Sequence, residues 1–307
     1  SCQRPENDDG WQDRTVRHVY ECQMRRADLH PGGTVDNVVY VDYLQEARLD
    51  LLRHHNTSPT PRPGEGLVVV RTVIEYLTPL RMADAPLTVE VWVTDVRAAS
   101  FTLGYELTTR RDPDAAPVLH ARATTVLAPY VFAEDRPRRL TAEERERLAG
   151  GVEDSPIEDP RRDRPGPWRD DAFGEALHVR FSDVDILGHV NNVRYLDFVH
   201  EAQVDLMIGV FQEAHVNGTV DMVIARSEID YLGQMNLRAE PYDVRCRVAA
   251  VGTTSVTFES EICDGDRVMA RSRIVEVNLD PDAARPKPLR PEHREIFERR
   301  RREAAVS

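Results

Sequence analysis

The alternation of apolar and polar positions in this chain is written twice. In "NNVRYLDFVHEAQVDLM", residues 191–207, apolar groups return at Leu196, Val199, Ala202 and Leu206, the spacing of a helix with one buried face. The segment "DNVVYVDYLQEARLDLL", residues 36–52, has the same spacing. Asn37, Tyr40, Asp42, Glu46, Ala47, Asp50 and Leu51 recur as Asn192, Tyr195, Asp197, Glu201, Ala202, Asp205 and Leu206, at a constant offset of 155. The offset continues through "EYLTPLRMADAPLTVEV" and "DYLGQMNLRAEPYDVRC" without a gap. Register held that long marks an internal duplication.

Each copy follows one plan. A short strand leads to a polar loop and then to the amphipathic helix. Four strand-like stretches follow, "LVVVRTVIEYL", "LTVEVWVTDVR", "SFTLGYELTTR" and "VLHARATTVLA" in the first copy. In the second copy, "SVTFESEI" alternates as a strand covered on one face does. Both copies close on a basic, proline-containing stretch and a charged helix, and Thr141 with Glu144 has the spacing of a capping box. The expected layout is a flexible tail over 1–14, a first domain over 15–150, a linker rich in Pro, Gly and charge over 151–175, and a second domain over 176–303. One helix with about four antiparallel strands predicts an α+β domain, a curved antiparallel sheet wrapped around one central helix. Each copy alone leaves sheet edges open, so two in tandem are expected to pair edge to edge as a pseudo-dimer.

Composition narrows the function. The 307 residues suffice for two domains with cores. A net charge of −13 argues against a general nucleic-acid partner, although a local arginine cluster can still meet a phosphate. Arg81, Arg226, Arg238, Arg245 and Arg247 are available for that, and none is singled out. Cys2, Cys22, Cys246 and Cys263 form no CxxC pair, which suggests neither a disulfide framework nor a zinc site. No metal or cofactor is expected. No apolar run reaches the roughly 18–20 residues of a membrane span, and "SCQRPENDDGWQDR" has no apolar stretch of the signal-peptide kind. The expectation is a reduced, cytoplasmic protein, with a homo-oligomer of the fused pair left open.

The chemistry concentrates in "DVDILGHVNN", residues 183–192. With its flanks, "FSDVDILGHVNNVRYLDF" resembles the hotdog-fold acyl-CoA thioesterases of the 4-hydroxybenzoyl-CoA thioesterase-like group, through Phe181, Asp183, Asp185, Gly188, His189, Val190, Asn191, Asn192 and Tyr195. The resemblance covers both copies and implies two hotdog domains in tandem. It also implies that Asp185 acts on a thioester of coenzyme A or acyl carrier protein, with backbone N–H groups of Gly188, His189 and Val190 near the oxyanion. Asn191, Asn192 and Tyr195 would border the substrate, and the acyl chain would lie between the copies. Chemistry agrees: thioester hydrolysis needs a base or nucleophile within reach of the reacting atom and donors aimed at the developing oxyanion. A helix N-terminus supplies such donors with a favourable dipole.

The bland readings stand beside these. Asn191 or Asn192 is also a natural helix cap. Asp183 is expected to fix the loop, and Tyr195 to pack. Asp183, Asp185 and His189 contain metal-ligand atom types, but three ligands on one loop are weak support. Glu46 and Glu201 read as polar anchors or as pocket acids. In the first copy the loop is "DLHPGGTVDN": His30 stands where Asp185 does, with Gly33 and Thr34 for Gly188 and His189. That loop is expected to be a degenerate counterpart. Two other functions stay open, a non-catalytic acyl-thioester sensor and a hotdog hydratase or dehydratase.

Overall fold

The computed structural model describes residues 17–30, 32–54, 64–84, 86–112, 114–159, 168, 173–186, 188–213, 222–280 and 285–304. The tail expected over 1–14 and most of 160–175 lie outside the described residues. The chain divides into two compact units. Unit 1 comprises Ser1–Val35, Asp42–Val70 and Thr78–Glu158, and unit 2 comprises Asp36–Val41, Arg71–Leu77 and Asp159–Ser307.

The first copy contributes β1 (His18–Cys22), α1 (Asn37–His54), β2 (Glu65–Tyr76), β3 (Leu87–Val96), β4 (Phe101–Thr109), β5 (Val118–Val131), the two-residue β6 (Arg136–Pro137) and α2 (Ala142–Ala149). The sheet of unit 1 runs β1-β3-β4-β5-β2. Its inward residues Leu103, Tyr105, Leu107 and Leu127 are buried, as is Leu44 of α1. The capping box at α2 forms: the Glu144 N–H donates to Thr141 Oγ1 at 3.1 Å and the Thr141 N–H to Glu144 Oε2 at 2.8 Å. Part of the segment expected as a linker belongs to this unit. The Glu153 N–H donates to Val93 O at 2.9 Å, Trp92 Nε1 donates to Asp154 O at 3.0 Å, and Ile157 is buried.

The second copy contributes β7 (Phe173–Leu177), α3 (Arg194–Glu213), β8 (Met222–Tyr231), β9 (Tyr242–Val251), β10 (Ser255–Asp264), β11 (Arg267–Asp280), the short β12 (Arg285–Pro286) and α4 (Pro291–Glu303). In unit 2 the order is β8-β11-β10-β9-β7, and α3 packs on β7, β9, β10 and β11. The face read from the sequence is the one buried: Leu196, Val199, Ala202 and Leu206 are all nearly inaccessible. Phe297 of α4 meets Phe258 and Phe211 edge-on and closes the core. Glu46 and Glu201 are both exposed, so neither is a buried acid requiring a partner.

The end of β2 falls in unit 2, where it pairs antiparallel with β8: Arg71 lies opposite Asp230 and Glu75 opposite Arg226. Arg71 reaches Asp230 at 3.1 Å and Glu228 at 2.8 Å; Arg226 reaches Glu228 at 3.0 Å and also Glu75. Arg71 and Arg226 are 155 positions apart, as are Glu75 and Asp230. Equivalent positions of the repeat therefore exchange partners within unit 2. Among the described residues, no helix is long and apolar enough to cross a membrane.

Candidate active site

The loop ahead of α3 is built by its own hydrogen bonds. Arg180–Asp183 form a tight turn in which Asp183 Oδ2 accepts the Arg180 N–H at 2.7 Å. Asp183 is buried, and its carbonyl takes the Asn191 N–H at 2.8 Å. The Asp185 N–H donates to His189 O at 2.8 Å, and the Gly188 N–H returns to Asp185 O at 3.0 Å. That second turn needs Gly188 at φ 82, a left-handed conformation that glycine adopts without strain. Asp185 is left half-buried on the loop, beside Ile186, which is fully exposed.

A segment after β8 closes over this loop. The Val190 N–H donates to Met235 O at 2.8 Å, and His189 bridges to Asn236. Tyr195, in the first turn of α3, donates from its hydroxyl to Gly233 O at 3.2 Å and accepts the Met235 N–H at 3.0 Å. Burial pushes the Tyr195 hydroxyl up, and the charges of Tyr231, Tyr242 and Asp185 add to the shift. Asp185 is thus within electrostatic reach of the start of α3.

These hydrogen bonds bear on the expected roles. The N–H groups of Gly188 and Val190, expected near the oxyanion, are engaged in the loop itself, at Asp185 O and Met235 O. Tyr195 ties the helix to Gly233 and Met235 and is buried. Asn191 acts as a cap, its Oδ1 accepting the Val193 N–H at 3.2 Å. Asn192 differs: its carbonyl accepts the Tyr231 hydroxyl at 3.1 Å, while its Nδ2 is buried with no partner among the described residues. A buried amide without a partner is costly, and it is a donor available to a ligand.

The first copy repeats the construction at offset 155. The His30 N–H donates to Thr34 O and the Gly33 N–H to His30 O, each at 2.8 Å. Gly33 has φ 81, the Val35 N–H donates to Leu80 O at 2.8 Å, and Thr34 bridges to Arg81. Backbone and turn agree between the loops; the side chain at the acid position does not. His30 is exposed, and its Nδ1 accepts the Gly32 N–H at 3.2 Å.

Reading the sequence missed Gly233, Met235 and Asn236 as the closing segment. Their signal lay in the repeat, since Leu80 and Arg81, 155 positions earlier, do the same work on the first loop. The cysteines offer no nucleophile among the described residues: Cys22, Cys246 and Cys263 are buried, and burial pushes the Cys22 and Cys246 thiols up to about 12. Four of the arginines considered for phosphates have partners. Arg226 is paired as above, Arg238 with Asp264 and Arg247 with Glu259, and Arg245 donates to Trp168 O.

A family model described as the thioesterase-like superfamily matches residues 22–148 and 179–297. The chain belongs to the thioesterase-like superfamily. Its two matched segments make it a tandem of two hotdog domains. Among curated members, it is 28% identical over 111 residues to the chloroplastic acyl-acyl carrier protein thioesterase ATL3 of Arabidopsis thaliana, covering 36% of this chain and 57% of that protein. It is 33% identical over 87 residues to the acyl-CoA thioester hydrolase YbgC of Escherichia coli, covering 28% of this chain and 60% of that protein. The chain thus spans less than two thirds of the length of either relative. The fold of the 12:0-ACP thioesterase from Umbellularia californica matches with a TM-score of 0.67 at 17% identity, over 89% of this chain and 97% of that one.

Proposed function

We propose that this member of the superfamily hydrolyses an acyl thioester of coenzyme A or acyl carrier protein, at the loop of the second copy. The observation that carries the reading is the contrast between the loops. They share turns, glycine conformation and closing segment, and the second retains an acid, Asp185, where the first has His30. An acid that the loop architecture does not require is accounted for by chemistry. The names of the curated relatives, an acyl-carrier thioesterase and an acyl-CoA thioester hydrolase, favour the same reaction class.

In the proposed reaction Asp185 takes a proton from the water that attacks the carbonyl carbon, or attacks that carbon itself. Charge collects on the carbonyl oxygen, and we assign Asn192 Nδ2 as a donor to it, assisted by the positive end of α3. Collapse breaks the C–S bond, and the thiol leaves with a proton; where Asp185 itself has attacked, water then cleaves the mixed anhydride and restores the carboxylate. His189 flanks Asp185 through its carbonyl and is placed as a lining residue. Asn191, by its cap, keeps the helix entry in place.

The test is release of free thiol from a panel of short, medium and long acyl-CoAs and acyl-carrier substrates, by native chain and by Asp185→Asn. The expected result is release from at least one substrate that falls by about 10²–10⁴-fold in the variant, the usual range for a lost acid–base group. Undiminished release by Asp185→Asn would overturn the mechanism. Consumption of an enoyl thioester without free thiol would point to a hydratase instead.

A further inference from the structure

A second cluster of chemistry-bearing side chains lies in unit 1, on β1 and the end of α1. β1 presents His18, Tyr20 and Cys22 on one face, and these are less exposed than Val19 and Glu21 between them. Along α1, Asp50 and His54 follow one another at i and i+4, on one side of the helix. His18 Nε2 is 2.9 Å from Asp50 Oδ2, and His54 Nδ1 is 3.2 Å from Asp50 Oδ1. The two imidazole rings are tilted at 38°, with centroids 5.8 Å apart. One ligand atom from each of His18, Asp50 and His54 falls within 4.8 Å of the others.

We propose that His18, Asp50 and His54 bind a divalent metal ion of the zinc class, which staples β1 to the end of α1. Zinc bonds of about 2.0–2.1 Å to nitrogen and oxygen in a tetrahedron put neighbouring ligand atoms roughly 3.3 Å apart. The two separations from Asp50, 2.9 and 3.2 Å, lie just below that spacing. Two imidazoles with one carboxylate suit zinc, cobalt or nickel better than calcium or magnesium, which prefer all-oxygen shells. The His18 and Asp50 side chains are 11% and 26% exposed and His54 is 62% exposed, so the ligands are half-fixed and the remaining coordination positions open to water. A local hydrogen bond is the competing account of His54, because its Nδ1 also lies 3.0 Å from Asp50 O, one turn back. His18 Nε2 likewise has a hydrogen bond to Asp50 Oδ2, so the metal-free alternative is a hydrogen-bonded cluster of the three residues, which the metal titration separates from a metal site.

The second copy indicates that the histidines are not a demand of the fold. At offset 155, His18 becomes Phe173, His54 becomes Gly209 and Asp50 remains as Asp205. There the carboxylate meets Glu175 instead, and their shared hydrogen bond raises the Glu175 carboxyl. The copy without the loop acid is the one that carries two imidazoles around the aspartate common to both copies.

The test uses the full chain, freed of any polyhistidine tag and stripped with chelator, titrated with Zn²⁺ by calorimetry and with Co²⁺ by visible absorption. The expected result is one equivalent bound, a Co²⁺ spectrum of low coordination number, and a Tm raised by several degrees that chelator reverses. Asp50→Asn, and separately His18→Phe with His54→Gly, should lose that equivalent. The double change installs the residues the second copy carries, and Asp50→Asn keeps the side-chain shape, so at least one variant remains folded. No binding by the native chain, or an equivalent retained in both variants, would overturn the proposal. Neither result bears on thiol release at Asp185.

Discussion

Asn191 and Asn192 are adjacent and identical in type, yet they hold different atoms. Asn191 Oδ1 caps the helix entry, whereas Asn192 Nδ2 is buried without a partner among the described residues. Asn191→Ala should therefore lower stability by about 1 kcal/mol, the usual cost of a lost cap, and leave kcat nearly intact. Asn192→Ala should leave Tm nearly unchanged and lower kcat by about 10²–10³-fold, the scale of one oxyanion donor. Thermal melts beside steady-state kinetics separate the two. Both roles were open in the sequence, because a cap and a ligand donor favour the same residue type. What could not be read there was which N–H groups were already taken. Val190 gives its N–H to a carbonyl 45 positions away, and the Tyr195 hydroxyl bonds across 38 and 40 positions. Contacts of that range leave no periodicity along the chain.

At the scale of elements, the amphipathic helices, the capping box and the strand alternation were legible, since each depends on neighbours a few positions apart. The partition of β2 was not. Its last residues fall in unit 2, where they pair with β8 and Arg71 meets Asp159, Glu228 and Asp230. Arg71→Ala would leave Glu228, whose side chain is 5% exposed, facing two other acids with less cation. Breaking a fully buried pair costs about 3–5 kcal/mol; with Arg71 partly solvated and Arg226 still in place, roughly 2–3 kcal/mol is expected. Glu228→Gln added to that variant should recover part of the loss in a denaturant midpoint. A double variant no better than Arg71→Ala would mean that the arginine matters through packing rather than charge.

For the whole molecule, the duplication is the feature that made both loops and their asymmetry readable, and it also exposes an anomaly. Leu127 pairs with Phe101; Val256, 155 positions after Phe101, pairs with Glu276, which therefore takes the place of Leu127 in the ladder. The first copy thus carries leucine where the second buries a carboxyl beside Gln203. Burial raises the Glu276 carboxyl from 4.5 to about 7. The folded chain therefore binds more protons than the unfolded one between those values. This group's contribution is complete below about pH 4.5 and is lost as the pH rises through about 7. Glu276→Gln keeps the hydrogen bond to Gln203 without the charge. It should stabilise the chain by roughly 2–3 kcal/mol at pH 8 and change little at pH 4. Equal effects at both pH values in chemical denaturation would show that the carboxyl ionises freely in the fold.

The central claim is that two loops of one construction differ in a single working side chain. Its most direct test is the rate of thiol release from one accepted acyl thioester, measured for Asp185→Asn and His30→Ala beside the native chain. The account predicts a loss of about 10²–10⁴-fold for Asp185→Asn and none for His30→Ala. Equal losses in the two variants, or a loss confined to His30→Ala, would contradict it.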